Sequence, residues 1–228
     1  VTRLPGFDAG MWWVQDISAA LAAPLLRADA QAHVLDLCAA PGGKTLQLAA
    51  SGARVTALDA SQSRLERLRA NLARTGLSAQ TLRADLENWE APRSFSHVLL
   101  DAPCSATGTI RRHPDLPLHR RRGDIEKTAR LQAALLEQAA GAIAPDGTLV
   151  YCVCSLEPGE GEGVAQAFLA RRDDFSLIPI KADEMPECLS MAVTQAGHLR
   201  TTPAMLAAFG GCDGFFAARF HKKAMART

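Results

Sequence analysis

The chain has almost no net charge. Its 25 Lys and Arg stand against 24 Asp and Glu, for a formal charge of +1 at pH 7. Nucleic-acid binding therefore cannot be argued from overall charge, and any basic surface must be local. There is no long hydrophobic run. No apolar stretch reaches the roughly 18 residues that a membrane helix needs, and no signal-peptide pattern opens the chain. Nor is there a C-x-x-C pair among the six cysteines at positions 38, 104, 152, 154, 188 and 212. Cys152-x-Cys154 is a poor zinc signature, so no metal site is expected. A reduced, cytoplasmic protein without a membrane segment is the expectation. Internal repeats and low-complexity segments are missing too. The 228 residues, 48% hydrophobic and 21% charged, suit one globular domain of ordinary composition.

What the chain does have is one organising stretch, Val34 to Thr45. Val34–Leu37 is an apolar run that reads as a buried parallel strand. A turn with Pro41, Gly42 and Gly43 follows, then a helix from Thr45 to Ala50. A strand, a glycine turn and a helix make the first half of a βαβ unit. The glycines allow backbone to approach a ligand, and the helix N-terminus offers free N–H groups. Gly43-Lys44-Thr45 resembles the end of a P-loop, but Cys38 stands where the first P-loop glycine belongs, and the dinucleotide G-x-G-x-x-G is absent.

Upstream, Trp12 and Trp13 precede a helix predicted from about Gln15 to Leu26, capped by Asp16 or Ser18 and laid over one face of the sheet. The tryptophans suit packing better than base stacking. Downstream, strands are predicted at 53–59, 79–85, 95–101 and 148–154, with helices at 63–74, 125–143 and 162–170. Gly76 ends the helix at 63–74, and a turn falls at Pro145–Gly147. A strand at 175–180 is expected, a turn-rich stretch at 181–212, and a last strand at 213–220 paired with 175–180 or with residues near 198–201. The tail carries Lys222, Lys223 and Arg227. The alternation of strands and helices predicts an α/β fold with a doubly wound, mostly parallel sheet. In such a sheet Asp36, Asp59, Asp85 and Asp101 lie at strand C-terminal ends, the edge where ligands bind.

The same edge receives Cys104 and Cys154, which can act as nucleophiles once deprotonated. Arg111, Arg112, Arg120, Arg121 and Arg122 follow, with only Asp115 opposing them in that run. Beside the cleft they make a candidate phosphate-contacting patch. Cys188 and Cys212 read as structural. Asp59 falls where an acid takes a ribose hydroxyl pair. With carboxylates for a ribose and an amine, and no lysine in P-loop register, the pocket favours S-adenosylmethionine over ATP or NAD.

DLCAAPGGKT (36–45), DAPCSATG (101–108) and CSLEPGE (154–160), with RLERLRANLARTG (64–76) and DGFFAARF (213–220), together resemble the motifs of the Nol/Nop/Sun RNA cytosine-C5 methyltransferases, and within that family the branch acting on bacterial 16S rRNA. The resemblance runs from about Pro5 to Phe220. It implies a Rossmann-like class I methyltransferase with a seven-stranded, mostly parallel sheet and helices on both faces. Residues 31–228 are then the catalytic domain, and 1–30 its lead-in and covering helix. By resemblance, Cys38, Ala39, Ala40, Pro41, Gly42, Gly43 and Lys44 wrap the methionine and ribose of S-adenosylmethionine. Asp59 takes the ribose, Asp85 reads the adenine amino group, and Asp101 is shared between cofactor and target base. Cys154 matches the nucleophile that attacks C6 of cytosine, and Cys104 the cysteine implicated in product release. Val153 stands where the family usually has Thr. The implied partner is RNA, and a monomer is expected because no apolar stripe demands a second subunit. Bacterial relatives of this type carry an N-terminal NusB-like RNA-binding domain that this chain begins too late to contain. That implies either an isolated catalytic domain or recruitment of RNA through the arginine loop and a partner. Competing readings are a tRNA enzyme, a DNA cytosine-C5 methyltransferase using Pro103-Cys104, against which Cys154 argues, and a non-catalytic RNA-binding assembly factor, against which the joint presence of Cys104, Cys154 and Asp101 argues.

Overall fold

The computed structural model describes residues 1–224; Arg227 of the tail and the end of the 31–228 span lie outside the described residues. In chain order the elements are α1 (Ile17–Ala20), β1 (His33–Leu37), α2 (Gly43–Ala50), β2 (Arg54–Asp59), α3 (Gln62–Thr75), β3 (Gln80–Arg83), β4 (Phe95–Asp101), α4 (Leu116–His119), α5 (Arg122–Ala142), β5 (Ile143–Val153), α6 (Glu162–Arg171), β6 (Phe175–Leu177), β7 (Leu199–Thr201) and β8 (Phe215–Lys222). The strands form one sheet in the order β3-β2-β1-β4-β5-β8-β6, with β7 also paired to β8. β1 to β5 run parallel, and β8 is antiparallel to β5, β6 and β7. Both expected pairings of the last strand therefore occur: Lys222–Phe220 face Phe175–Leu177, and Ala217–Phe215 face Leu199–Thr201.

Alternation along the strands divides the core between two faces. Val34, Val55, Leu99 and Val150 point to one side and meet Leu21, Leu25 and Leu26, then Leu46 and Leu48 of α2, then Leu65, Leu68 and Leu72 of α3. Leu35, Leu37, Val98, Leu149 and Tyr151 point to the other and meet Leu135 and Leu136 of α5 and Val164 and Phe168 of α6. This is the expected Rossmann-like architecture, helices on both faces of a mostly parallel sheet, with eight strands among the described residues where seven were expected because β7 adds to β8. Among the described residues no helix is long and apolar enough to cross a membrane.

The sequence reading and the structure part in two places, the helix at 15–26 and the turn at 145–147, and agree on the turn-rich stretch 181–212. The helix predicted from Gln15 to Leu26 is broken into the single turn α1 and a 3-10 turn, Pro24–Leu26. Pro24 has no N–H to continue the ladder, and its ring crowds the preceding turn. Asp16, not Ser18, caps α1; the Ser18 hydroxyl donates instead to the carbonyl of Asp213, at 2.8 Å. The turn predicted at Pro145–Gly147 is a bulge inside β5. Ile143 pairs with Phe95 but Thr148 with His97, so the intervening residues loop out, with Asp146 at φ 60°. The stretch 181–212 contains three 3-10 turns and β7. It is fastened by the fully buried Arg219, whose guanidinium bonds Glu184 at 2.7 Å and the Leu25 carbonyl at 3.2 Å.

Candidate active site

The parallel register sets Leu37 beside Leu58 and Leu100, and Asp101 beside Cys152, so the loops after β1, β2, β4 and β5 leave one sheet edge together. The β1–α2 loop turns sharply. Cys38 has φ 57° and Gly42 φ 112°. A Cβ at Gly42 would lie 2.3 Å from Leu68 Cδ1 of α3. Glycine is needed there both for its left-handed backbone and for the close approach of helix to loop. Gly42→Ala is expected to cost about 2 kcal/mol and lower the melting temperature by about 4–8 °C, read by thermal unfolding; an unchanged melting temperature would contradict the strain.

Two cavities open at this edge. One, of about 550 Å³, is lined by Asp36, the segment Ala39–Lys44, Asp101, Arg111, Arg112, Cys154, Asp213 and Phe215 among others. The other, of about 380 Å³, is lined by Cys38, Asp59, Ser61, Arg64, Asp101, Cys104 and Cys154 among others. Asp101 and Cys154 belong to both walls, so the cavities meet at that pair.

Lys44 is nearly buried and donates to Asp101 Oδ2 at 2.7 Å, with its ammonium 5.3 Å from the centre of the Phe215 ring. Burial works against its charge, but Asp101 more than offsets this and keeps the ammonium above its ordinary pKa. Asp36 is fully buried. Burial, only partly countered by a 2.5 Å hydrogen bond from Thr45 Oγ1, raises its carboxyl to about 7, and its Oδ1 has no partner. Asp59 Oδ2 accepts from Ala40 N at 3.1 Å and Oδ1 from Ser61 N at 2.9 Å. Arg64 of α3 stands 3.6 Å from Asp59 and donates to the Ala40 carbonyl. Cys38 is inert as a thiol: burial, with Asp101 and Asp59 nearby, pushes it up to about 12.

Cys104 and Cys154 come from loops 50 residues apart, and their sulfurs lie 3.4 Å from each other. The two thiols are not equivalent. Its hydrogen bond with Cys154 and its burial both push the Cys104 thiol well above the ordinary value. Receiving that hydrogen bond, Cys154 is held below the ordinary thiol value, against its burial and Asp101 and with the help of Lys44. Of the two, Cys154 is the readier to ionise and Cys104 the readier to keep its proton and donate. Cys152 is different: fully buried, it directs its sulfur at Asp101 Oδ1 at 3.6 Å, and burial keeps it protonated.

The structure thus brings Cys38 to Lys44, Asp59, Asp101, Cys104 and Cys154 to one cleft. Asp85 is not among the residues lining it. Its carboxylate caps the 3-10 turn Leu86–Asn88, accepting from Glu87 N at 3.2 Å and Asn88 Nδ2 at 3.1 Å. Trp12 packs edge-on against Phe7 and Trp13 against the core, in keeping with packing roles.

The arginine run needs a correction. Acids outside the run oppose it, while Asp115 itself stands beside His119. Arg111 bonds Asp16 at 3.2 Å, Arg112 bonds Asp213 at 2.6 Å, and Arg122 pairs with Glu126. Arg120 donates to the Ser105 carbonyl, and the Arg121 N–H to Asp124. Arg111 and Arg112 do line the larger cavity. Arg64, Asp213, Phe215 and the buried Glu160 have no role in the sequence reading. Asp213 and Phe215 sit in the DGFF segment and Glu160 in CSLEPGE, so the motifs flagged these segments without revealing what the residues do.

Residues 23–221 match the family model described as 16S rRNA methyltransferase RsmB/F. The chain is 40% identical over 228 residues to the ribosomal RNA small subunit methyltransferase B of Salmonella arizonae, covering 98% of this chain and 50% of that protein. To the protein of the same name from Sodalis glossinidius it is 41% identical over 231 residues, again covering half of the relative. The chain spans about half the length of these curated relatives. Among solved structures it is similar to NSun6 from Pyrococcus horikoshii with SFG, at TM-score 0.82 and 27% identity over 97% of this chain and 56% of that one. A methyltransferase homolog protein from Pyrococcus horikoshii aligns at TM-score 0.80 and 32% identity, over 97% and 72%.

Proposed function

The chain belongs to the RsmB/F family of 16S rRNA methyltransferases, and from that premise we propose that it methylates C5 of a cytosine in RNA, with 16S rRNA as substrate and S-adenosylmethionine as methyl donor. Residues 31–228 are the catalytic domain in this reading, and 1–30 its lead-in. The observation that carries it is the meeting of two cavities at Asp101 and Cys154, one walled by the glycine loop and an arginine pair, the other by Asp59 and Cys104.

The residues fit the donor. Gly42 and Gly43 line the larger cavity, Asp36 offers a buried oxygen without a partner, and Asp59 stands at the wall of the smaller cavity. A cleft with Asp36, Asp59 and Asp101 suits a ligand carrying cationic sulfonium and ammonium groups. It suits a polyphosphate poorly, because Lys44 is already neutralised by Asp101. Cys38 to Lys44, Asp36 and Asp59 are the residues that would hold S-adenosylmethionine. When bound, it supplies an electrophilic methyl group.

C5 of cytosine is too weak a nucleophile to take that methyl unaided. Cys154 Sγ adds to C6 as the thiolate, which makes C5 enamine-like. Asp101, held by Lys44, is placed to hold a proton at N3 of the base and stabilise the adduct in a water-poor cleft. After C5 is methylated, its proton passes to water, the C5–H electron pair re-forms the C5=C6 bond, and Sγ leaves C6 with the electrons of the C6–Sγ bond. Cys104, 3.4 Å away and carrying its proton, stabilises the departing Cys154 thiolate. Arg111 and Arg112 line the larger cavity with part of their side chains exposed, as contacts for the phosphates of the target strand. The target base lies in a loop or is flipped.

The test is RNA carrying 5-azacytidine, mixed with the protein and S-adenosylmethionine and run beside matched DNA. The expected result is a denaturation-resistant RNA adduct that forms with wild type and with Cys104→Ser but not with Cys154→Ser. Loss in Cys104→Ser alone would move the nucleophile to the Pro103-Cys104 loop and overturn the assignment.

A further inference from the structure

Behind the two cysteines, on the side away from both cavities, lies Glu160, fully buried. Its Oε1 accepts from Ser105 N at 2.8 Å, Thr128 Oγ1 at 2.5 Å and Gln132 Nε2 at 3.2 Å, and its Oε2 from Ser105 Oγ and Ser155 Oγ, each at 2.5 Å. Ser105 directly follows Cys104, and Ser155 directly follows Cys154. One carboxylate therefore ties together the two loops that carry the sulfurs.

The tie is reinforced on both sides. Gln132 Nε2 also donates to the carbonyl of Pro103, the residue before Cys104, at 2.9 Å. The Tyr151 hydroxyl donates to the Glu160 carbonyl at 2.5 Å. The Cys154 carbonyl accepts from Gly108 N at 3.1 Å, and the Ser155 carbonyl from Arg200 at 2.5 Å. A buried carboxylate survives only when its lone pairs are matched by donors, and here five converge on it. Burial pushes its carboxyl up, but the hydroxyls and the Ser105 N–H outweigh that and keep Glu160 ionised. Neither Glu160 nor the two serines is among the residues lining the cavities.

Resting on the reading of Cys154 as nucleophile, we infer that Glu160 is a positioning residue that holds Cys104 as the hydrogen-bond donor to Cys154 and so sets the reactivity of the attacking sulfur. A glutamine keeps one acceptor, which stays on the Ser105 N–H and Gln132, and turns its N–H₂ to the Ser105 and Ser155 hydroxyls. Those two bonds, the ones that join the cysteine loops, then reverse direction and lose the carboxylate charge, so the tie between the loops weakens.

The test needs no RNA. Iodoacetamide alkylation of Cys154 is followed by peptide mass across pH, with melting temperature measured on each variant. Wild type is expected to alkylate at Cys154 before Cys104. Glu160→Gln should raise the midpoint of the Cys154 profile by about one unit, roughly a tenfold loss of thiolate at neutral pH. Cys104→Ala should give a comparable rise, and adding Glu160→Gln to Cys104→Ala no further rise. Phe175→Leu, a core change in β6 that makes no contact with Glu160 or either cysteine loop, should lower the melting temperature and leave the midpoint alone. If Glu160→Gln does not fold, Ser155→Ala carries the test with a smaller rise in the same direction. A folded Glu160→Gln with the wild-type midpoint, or a further rise in the Cys104→Ala background, overturns the inference. Preferential alkylation of Cys104 in the wild type overturns the nucleophile assignment itself, and this inference with it.

Discussion

Replacing Lys44 with methionine is expected to slow methyl transfer to RNA at least about a hundredfold at neutral pH, the scale seen when one preorganised charge is removed from an active site. Methionine keeps much of the length and the apolar contact with Phe215 but leaves Asp101 without the cation 2.7 Å away. Two consequences have the same sign. Asp101 loses the partner that fixes its orientation toward the base. Cys154 loses a cation that lowers its pKa, while Asp101, which raises it, is left uncompensated. The thiolate fraction then falls at neutral pH and recovers as pH rises, so the rate profile of Lys44→Met should lie to the alkaline side of wild type. Single-turnover methylation measured between about pH 6 and 9 reads both the loss and the shift, a window that brackets thiol titration. A profile superimposable on wild type would mean that Lys44 has no part in setting the charge of the pair.

Gly108→Ala should remove more stability than any other single methyl group discussed above. The added Cβ would lie 1.8 Å from the Gly214 carbonyl oxygen and 2.9 Å from that of Cys154. These are backbone atoms with no rotamer to yield. Gly108 also donates to the Cys154 carbonyl at 3.1 Å and accepts from Gly214 N at 2.8 Å, so the methyl group wedges apart three chain segments at their crossing. A loss above about 4 kcal/mol is expected, the range reserved for overpacking that cannot relax. For a chain of this size that is a fall of about 8–16 °C in melting temperature, or failure to fold. Any folded fraction should alkylate poorly at Cys154. A wild-type melting temperature would show that the loops can part freely.

The fold was legible where the pattern is local. Strands β1, β2, β4 and β5 announce themselves as apolar runs ending in a polar or sulfur residue, and α3 by its leucines at 65, 68 and 72. Strand order then places Asp36, Asp59, Asp101, Cys104 and Cys154 at one edge without further information. What the sequence concealed is non-local. Nothing near Arg111 or Arg112 reveals that Asp16 and Asp213, about a hundred residues away on either side, balance them. Nothing near Glu160 distinguishes it from its acidic neighbours Glu157 and Glu162, which a surface turn would also accommodate. Only the packing of α5 against β5 encloses it. For Asp85 the sequence showed the strand end but not the cap: its carboxylate accepts from Glu87 N and Asn88 Nδ2 in the next turn, the local bonding that aspartate favours.

The Asp213 N–H bonds Asp16 Oδ1 at 3.1 Å across 197 residues, and Asp213 and Phe215 complete the wall of the larger cavity. During synthesis at about 5–20 residues per second, Asp16 is incorporated about 10–40 seconds before its partner. The glycine loop and both cysteines exist through the latter part of that interval without the wall that closes around them. A nascent chain therefore lacks the Asp213 and Phe215 wall of the larger cavity until the segment that carries them has been translated.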